Sequence, residues 1–316
     1  MKTKAKTKNK YPINEEFHPY SKIHLPFNRL FLSVANALMR PPRSFMKDKE
    51  LKVEKTSFDG YKGAKIEALI ITPVALKAPS PCLIYYHGGG FVSEAAWYHY
   101  RLVSQYAKRV GCKVVFVKYR LAPKYKFPTG HEDCYLALDW VYRNAEELGV
   151  DLDKIAVGGD SAGGNLSAAV SMMARDREHP IKLSFQMLIY PFLDGNMNSE
   201  SSKQFVDTPM WNTRRSMQVV PMVLSDGDLE NLHYLSIVEA SHFCDLPPAY
   251  IETAEFDSIR DDGIKYAELL GSAGVRAELW QTKGTMHAFD VATNAPTTVK
   301  MINSRIAFMQ KAFAAG

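Results

Sequence analysis

Gly159-Asp160-Ser161-Ala162-Gly163 sets a serine between two glycines. An apolar run, Lys154-Ile155-Ala156-Val157, leads into it, and Leu166 to Met173 leads out. The pattern predicts strand, tight turn and helix, with Ser161 at the apex of the turn. A serine held there projects its hydroxyl clear of the backbone, and the flanking glycines let neighbouring elements approach closely. Such a hydroxyl is suited to attack a carbonyl carbon. The first amide of the helix, at Ala162, would face the anion that forms beside it. Taken alone, the same five residues also fit a glycine-rich turn that closes a buried strand.

A serine hydroxyl is a weak nucleophile until a base takes its proton, and the base needs a carboxylate to orient it. In the nucleophile elbows of α/β-hydrolases, which this turn resembles, the acid and then the base follow the serine along the chain. Asp257 ends the run Tyr250-Ile251-Glu252-Thr253-Ala254-Glu255-Phe256, and His287 lies in Gly284-Thr285-Met286-His287-Ala288-Phe289. Of nine histidines, His287 is the one in a loop after the last predicted strand. Asp257 also reads as the N-cap of the following helix, and His287 as an exposed loop histidine. Asp261 and Asp262 read as first-turn charges favoured by the helix dipole. Upstream, His87-Gly88-Gly89-Gly90 is a second signal. Successive glycines let backbone N–H groups converge on one point, which makes an anion pocket. His87 precedes the serine, so it reads as a structural hydrogen-bonding residue rather than the base.

The elements that would carry these residues alternate. Leu51 to Phe58 and Ala64 to Ile71, separated by Asp59-Gly60, predict an antiparallel pair, and Cys82 to Tyr86 a buried strand running into His87. Helix Tyr98 to Val110, strand Cys112 to Val117, helix His131 to Leu148 and strand Ile155 to Gly158 follow. Next come helix Ser161 to Ala174 and strand Leu183 to Tyr190, stopped by Pro191. The alternation resumes with strand Ala249 to Ala254, helix Ile259 to Leu270 and strand Val275 to Gln281. In the last helix Val299, Ile302, Ile306, Met309 and Phe313 mark one apolar face. This is an α/β chain with a mostly parallel sheet flanked by helices. Residues 192–243 break the pattern, apart from a helix-like stretch from Thr213 to Leu224, and read as an insertion. Residues 11–48, with apolar Phe27, Leu30, Phe31, Val34 and Leu38, precede any strand and should lie over another part of the molecule.

Composition narrows the class further. The chain has 316 residues, 46% of them hydrophobic and 23% charged, which suits one large domain with a sizeable core. Lys2, Lys4, Lys6, Lys8 and Lys10 supply the whole of the +5 formal charge. The body therefore carries no bias towards nucleic acid or an anionic membrane, and the lysine run reads as a frayed terminus, with residues 1–10 disordered. No apolar run approaches a membrane span, and Leu25 to Met39 lacks the cleavage site of a signal peptide. Cys82, Cys112, Cys134 and Cys244 are scattered, which implies neither a metal nor a disulfide framework and favours a reducing, cytoplasmic setting.

Taken together, the motifs carry a family likeness. From about Leu51 onward the chain resembles the hormone-sensitive-lipase-like esterases of the α/β-hydrolase superfamily. The matching blocks are His87-Gly88-Gly89-Gly90-Phe91, Tyr119-Arg120-Leu121-Ala122-Pro123, Gly159 to Asn165, Asp257-Ser258-Ile259-Arg260-Asp261 and Gly284 to Phe289. Tyr190-Pro191 and Leu246-Pro247-Pro248-Ala249 match as well. The resemblance implies Ser161 as nucleophile, Asp257 as acid, His287 as base, and the amides of Gly89, Gly90 and Ala162 as oxyanion donors. It also implies a helical cap built from residues 1–48 and 192–243 over a catalytic domain spanning 49–316. Ser258 and Ile259, Lys124, and Ala288 depart from the family's usual residues, the last from the glycine usual after the histidine.

The expectation is a carboxylic-ester hydrolase for short to medium acyl chains, needing no metal or organic cofactor, with a small-molecule ester as its partner. A homodimer is left open. The same triad would serve an amidase, arylformamidase or deacetylase. A non-catalytic binding protein is a third reading, and plant gibberellin receptors resemble this branch without the histidine. Phe27, Phe31, Trp211, Met217 and Val220 are candidates to line an acyl pocket, or equally to pack the cap.

Overall fold

The protein is described by a computed structural model covering residues 10–22, 29–178, 180–224 and 231–315, with the side chains of residues 29–31 outside that description. The first nine residues, and the expectation of a frayed terminus with them, lie outside it, as does Phe27. Eight strands form one sheet: β1 (Leu51–Asp59), β2 (Lys65–Pro73), β3 (Ser80–Tyr86), β4 (Lys113–Val117), β5 (Val150–Asp160), β6 (Gln186–Ile189), β7 (Ala249–Phe256) and β8 (Ala277–Met286). Their order is β1-β2-β4-β3-β5-β6-β7-β8. The β1–β2 and β2–β4 pairs are antiparallel, and every later pair is parallel.

Successive side chains of a strand point to opposite faces, so a doubly covered sheet needs apolar residues at every position. In β3, Leu83 and Tyr85 join the core on one face, and Cys82, Ile84 and Tyr86 the core on the other. In chain order the other helices are α1 (Arg29–Leu38), α2 (Arg43–Met46), α5 (Ala145–Leu148), α7 (Glu200–Gln204) and α8 (Thr213–Val223), and the first face is covered by α3 (Trp97–Tyr106) and α10 (Pro296–Ala314). The second is covered by α4 (Thr129–Arg143), α6 (Ala162–Asp176) and α9 (Arg260–Ser272). Parallel registers then bring particular strand ends together. Tyr86 pairs with Gly159, Asp160 with Ile189, Ile189 with Glu252, and Phe256 with Met286. The residues that leave the C-terminal edge of the sheet at β3, β5, β7 and β8 are His87, Ser161, Asp257 and His287.

Several boundaries differ from the periodicity reading. β5 begins at Val150 rather than Ile155, and β8 continues past Gln281 to Met286. The β5 extension runs through the exposed or half-buried Asp151 to Lys154, whereas in β8 the polar Thr282 and Thr285 are buried with their hydroxyls bonded to each other at 2.6 Å. The predicted helix from His131 to Leu148 is broken at Asn144, with Ala145–Leu148 forming a separate turn. On α10, Val299 is exposed and the buried side is Met301, Ile302, Arg305, Ile306, Phe308, Met309 and Phe313. A charged residue lies in the middle of that buried stripe.

The two irregular regions pack on the strand ends and on each other. The N-terminal segment anchors through Phe17, whose ring meets Phe289 at 5.9 Å, and through the Asn14 amide, which donates to the Gly284 carbonyl at 2.8 Å. Tyr11 and Lys10 both donate to Asp207 in the insertion, at 2.5 and 2.7 Å. In the helix Arg29–Leu38, Asn36 donates to the Val92 carbonyl and accepts from the Glu94 amide, at 2.8 and 2.9 Å. Leu32 of that helix is buried, whereas Val34 and Leu38 face solvent. The insertion contributes the helices Glu200–Gln204 and Thr213–Val223 and, among the described residues, no strand.

Candidate active site

Ser161 sits at the corner between β5 and α6 with φ 55° and ψ −116°, a conformation that L-residues rarely adopt. Such strain costs on the order of 1–3 kcal/mol and persists only where surrounding contacts over-determine it. Here the Ser161 amide donates to the Ile189 carbonyl at 2.8 Å, and its own carbonyl accepts from the Phe192 amide at 3.2 Å. The turn also needs Gly163, because a Cβ there would collide with the Tyr86 carbonyl of the neighbouring strand.

The structure brings Ser161, Asp257 and His287 into one hydrogen-bonded line. Asp257 Oδ2 lies 2.6 Å from His287 Nδ1, and His287 Nε2 lies 2.9 Å from Ser161 Oγ. The carboxylate only accepts, so Nδ1 carries the proton and Nε2 is left to accept from the serine hydroxyl. Asp257 Oδ1 meanwhile accepts from the Ile259 amide at 3.2 Å. Asp257 thus faces the imidazole with one oxygen and closes a local turn with the other; it is not the N-cap of α9, a position held by Ile259. His287 is not an exposed loop histidine but 4% accessible, with the Tyr190 ring edge-on at 4.9 Å.

The glycine loop after β3 faces the same serine. The Gly88 amide is taken by Asp160 Oδ1 at 3.1 Å, while no described residue accepts from the amides of Gly89, Gly90 or Ala162. Gly90 has φ +62°, and a Cβ there would stand 2.9 Å from Cη2 of Trp211. Only glycine suits both conditions. A cavity of about 260 Å³ opens over Ser161 and His287, with Met39, Trp97, Tyr98, Met210 and Trp211 among its walls. Among the described residues no group of three or more His, Cys, Asp or Glu side chains is arranged to hold a metal ion. No described helix is long and apolar enough to cross a membrane.

A family model described as alpha/beta hydrolase fold matches residues 83–291. The chain belongs to the alpha/beta-hydrolase family. Within it, the chain is 35% identical over 242 residues to Esterase LipI of Mycobacterium tuberculosis, covering 76% of this chain and 75% of that protein. It is 35% identical over 268 residues to Carboxylesterase NlhH of the same organism, covering 83% of each. Among solved structures, a bacterial heroin esterase superposes with a TM-score of 0.80 at 32% identity, covering 90% of this chain and 89% of that one. These relatives set the chain in the hormone-sensitive-lipase-like esterase branch of the alpha/beta-hydrolases.

Two features of this alpha/beta-hydrolase escaped the motif reading. The first is Asp160, which the pentapeptide treats as a variable position. It is buried and accepts from Tyr85 Oη at 2.8 Å as well as from the Gly88 amide, and its Oδ2 lies 3.1 Å from His99 Nε2. Burial alone would raise its carboxyl, but His99 and the Tyr85 hydroxyl outweigh that and hold it below the ordinary range. Asp160 thus ties the serine's strand to the start of the glycine loop. The second is Tyr119, whose hydroxyl donates to the His87 carbonyl at 2.8 Å while its ring stacks on the His87 imidazole at 4.6 Å. Burial, with His99 nearby, pushes His87 down to about 4, so it is a neutral stacking group, in keeping with a structural part. An acid inside a Gly-rich turn was the available signal for Asp160. For Tyr119 the signal was its motif block, without any hint of its partner.

The neighbouring departures from the family pattern are local. Ala288 has φ 54° and ψ 34°, the left-handed conformation that explains why glycine is usual after the histidine. Asp261 Oδ2 accepts from the Ser201 amide at 2.7 Å and so pins the insertion to α9. Asp262 is buried, and its carboxyl is raised well above the ordinary range, chiefly by burial. Both aspartates lie in the first turn of α9, where the sequence reading put them.

Proposed function

We propose that this carboxylic-ester hydrolase works through an acyl-enzyme formed on Ser161, with His287 as base and Asp257 as its orienting acid. The observation that carries the reading is the continuous Asp257–His287–Ser161 line at 2.6 and 2.9 Å. As Ser161 Oγ bonds to the ester carbonyl carbon, its proton passes to His287 Nε2. The carbonyl oxygen becomes an oxyanion beside the amides of Gly89, Gly90 and Ala162, whose hydrogens have no acceptor among the described residues. Each such donor typically stabilises the transition state by about 3 kcal/mol. The carbon–alkoxy bond then breaks as His287 Nε2–H protonates the leaving alcohol. A water repeats the sequence on the acyl-enzyme, giving up its proton to His287, and releases the carboxylic acid and the free serine.

Residues 1–48 and 192–243 belong, in this reading, to a cap over the site. Support comes from the ties of Tyr11 and Lys10 to Asp207, and from Met39 and Trp211 in the cavity wall. All four cysteines are free, which supports a reducing, cytoplasmic setting.

The test is covalent labelling with a fluorophosphonate, together with hydrolysis of nitrophenyl acetate. The wild type should label on Ser161 and turn over the ester, and folded Ser161→Ala should do neither. Ester hydrolysis that survives in Ser161→Ala at the wild-type rate would refute the assignment.

A further inference from the structure

A second, smaller cavity lies on the other side of the nucleophile. It shares Gly90, Ser161 and Trp211 with the main cavity and adds Ala162, but it does not include His287. Its remaining lining is wholly apolar: Phe91, Phe192, Val219, Val220, Val223 and Leu235. Its volume is about 10 Å³, against about 260 Å³ for the main cavity. That is room for about one water-sized group.

Trp211 is the wall between the two. The edge of its indole rests on Gly90, its Nε1 donates to Ser216 Oγ at 2.9 Å, and its carbonyl accepts from Thr208 Oγ1 at 2.8 Å. An indole fixed at both ends and 6% accessible is a poor candidate to swing aside. Of the side chains that the sequence offered for an acyl pocket, Trp211 and Val220 line this cavity and Met217 faces solvent. Phe27 and the Phe31 side chain lie outside the described residues.

Resting on the acyl-enzyme reading above, the chemistry decides which half of an ester enters which cavity. His287 Nε2 has to reach the leaving oxygen, so the alcohol half must lie on the side of His287, in the main cavity. The acyl substituent on the same carbon then points away from His287, past the Gly90 and Ala162 amides, into the small one. We propose that the small cavity is the acyl site, that Trp211 closes it, and that the substrates are esters of two- or three-carbon acids with bulkier apolar alcohols. This narrows the expected acyl range to its short end and makes Trp211 a specificity-determining residue.

The experiment compares kcat/KM on nitrophenyl acetate, butyrate, hexanoate and octanoate for the wild type, Trp211→Leu and Val220→Ala, with each variant's thermal unfolding as the fold control. The wild type should lose at least tenfold between acetate and hexanoate. Trp211→Leu should raise the hexanoate-to-acetate ratio at least tenfold, and Val220→Ala, which removes less volume, should raise the butyrate-to-acetate ratio about threefold. If Trp211→Leu fails to fold, Val220→Ala carries the comparison alone. In the converse series, acetates of ethanol and of 2-cyclohexylethanol, whose leaving groups are of similar basicity, the wild type should favour the larger alcohol. A wild type that takes octanoate as well as acetate overturns the inference, as does a ratio unchanged within twofold in the folded variants. Either result leaves the Ser161 mechanism standing. A wild type that hydrolyses no ester removes that mechanism and this inference together.

Discussion

Replacing Arg305 by methionine should cost the fold about 3–5 kcal/mol, although this residue lines neither cavity at Ser161. Arg305 is fully buried on α10, where its Nε and Nη2 bind Glu252 at 2.9 and 2.5 Å, and its Nη1 binds Asp290 at 2.9 Å and Tyr106 Oη at 3.2 Å. One cation thus faces two buried carboxylates. Methionine keeps the volume of the stem and leaves both acids without a counter-charge, which is the expensive way to break a buried ion pair. At about 2 °C per kcal/mol for a chain of this length, the midpoint should fall by about 6–10 °C. The loss should also depend on pH. Burial raises the Glu252 carboxyl even with the arginine present, and removing the arginine raises it further. A carboxyl whose folded pKa lies above its unfolded value binds more protons in the native state, so stability falls as pH rises through the folded pKa. The deficit of Arg305→Met should therefore be largest near pH 8 and shrink towards pH 5. Adding Glu252→Gln and Asp290→Asn should recover part of it. The network also reaches the site, because Asp290 Oδ2 accepts from Tyr190 Oη at 2.9 Å and the Tyr190 ring touches His287. Thermal and urea unfolding at pH 8, 7, 6 and 5 would measure the effect. A loss below 1 kcal/mol at pH 8, or a deficit that grows on acidification, would refute the reasoning.

Asp257→Asn should lower kcat by about 10⁴-fold with little change in KM, because the new side-chain amide would still accept from the Ile259 amide but no longer hold the imidazole tautomer. Steady-state kinetics beside a melting curve separate this from unfolding. Gly90→Ala should lower kcat about 10²-fold, since its Cβ would meet Trp211 at 2.9 Å and displace one oxyanion donor. An unchanged kcat in a folded variant would take Gly90 out of the hole. Burial pushes His87 and His131 down to about 4, below the ~6.5 of an unfolded histidine. The unfolded chain then binds protons that the native state does not, so stability falls as pH drops from ~6.5 to ~4, by about 3 kcal/mol for each group. His131→Gln keeps a donor for Asn165 Oδ1, which His131 Nε2 meets at 2.9 Å, and should remove about half of that slope. Urea midpoints across this range check it.

The parallel sheet, the serine turn and the order of acid and base were legible because each is a local signal. Strand periodicity, glycines at a tight turn and chain order survive without any knowledge of distant contacts. Strand ends were less legible, since β5 and β8 extend through polar residues whose pairing partners lie far along the chain. Arg305 shows the same limit more sharply. The apolar spacing of the last helix implied one greasy face, and a cation in that stripe makes sense only beside Glu252 and Asp290.

Sequence by itself determined the reactive types: a serine at a strand–helix apex, a glycine loop able to present amides, and a carboxylate and imidazole after the last strands. Tertiary structure alone decided their distances, because the registers of β3, β5, β7 and β8 are long-range pairings that local patterns do not encode. It also decided the shape of the site. Trp211 comes from an insertion with no strand or heptad signal, and it is a wall only because Gly90, more than a hundred residues earlier, gives its ring a surface to rest on.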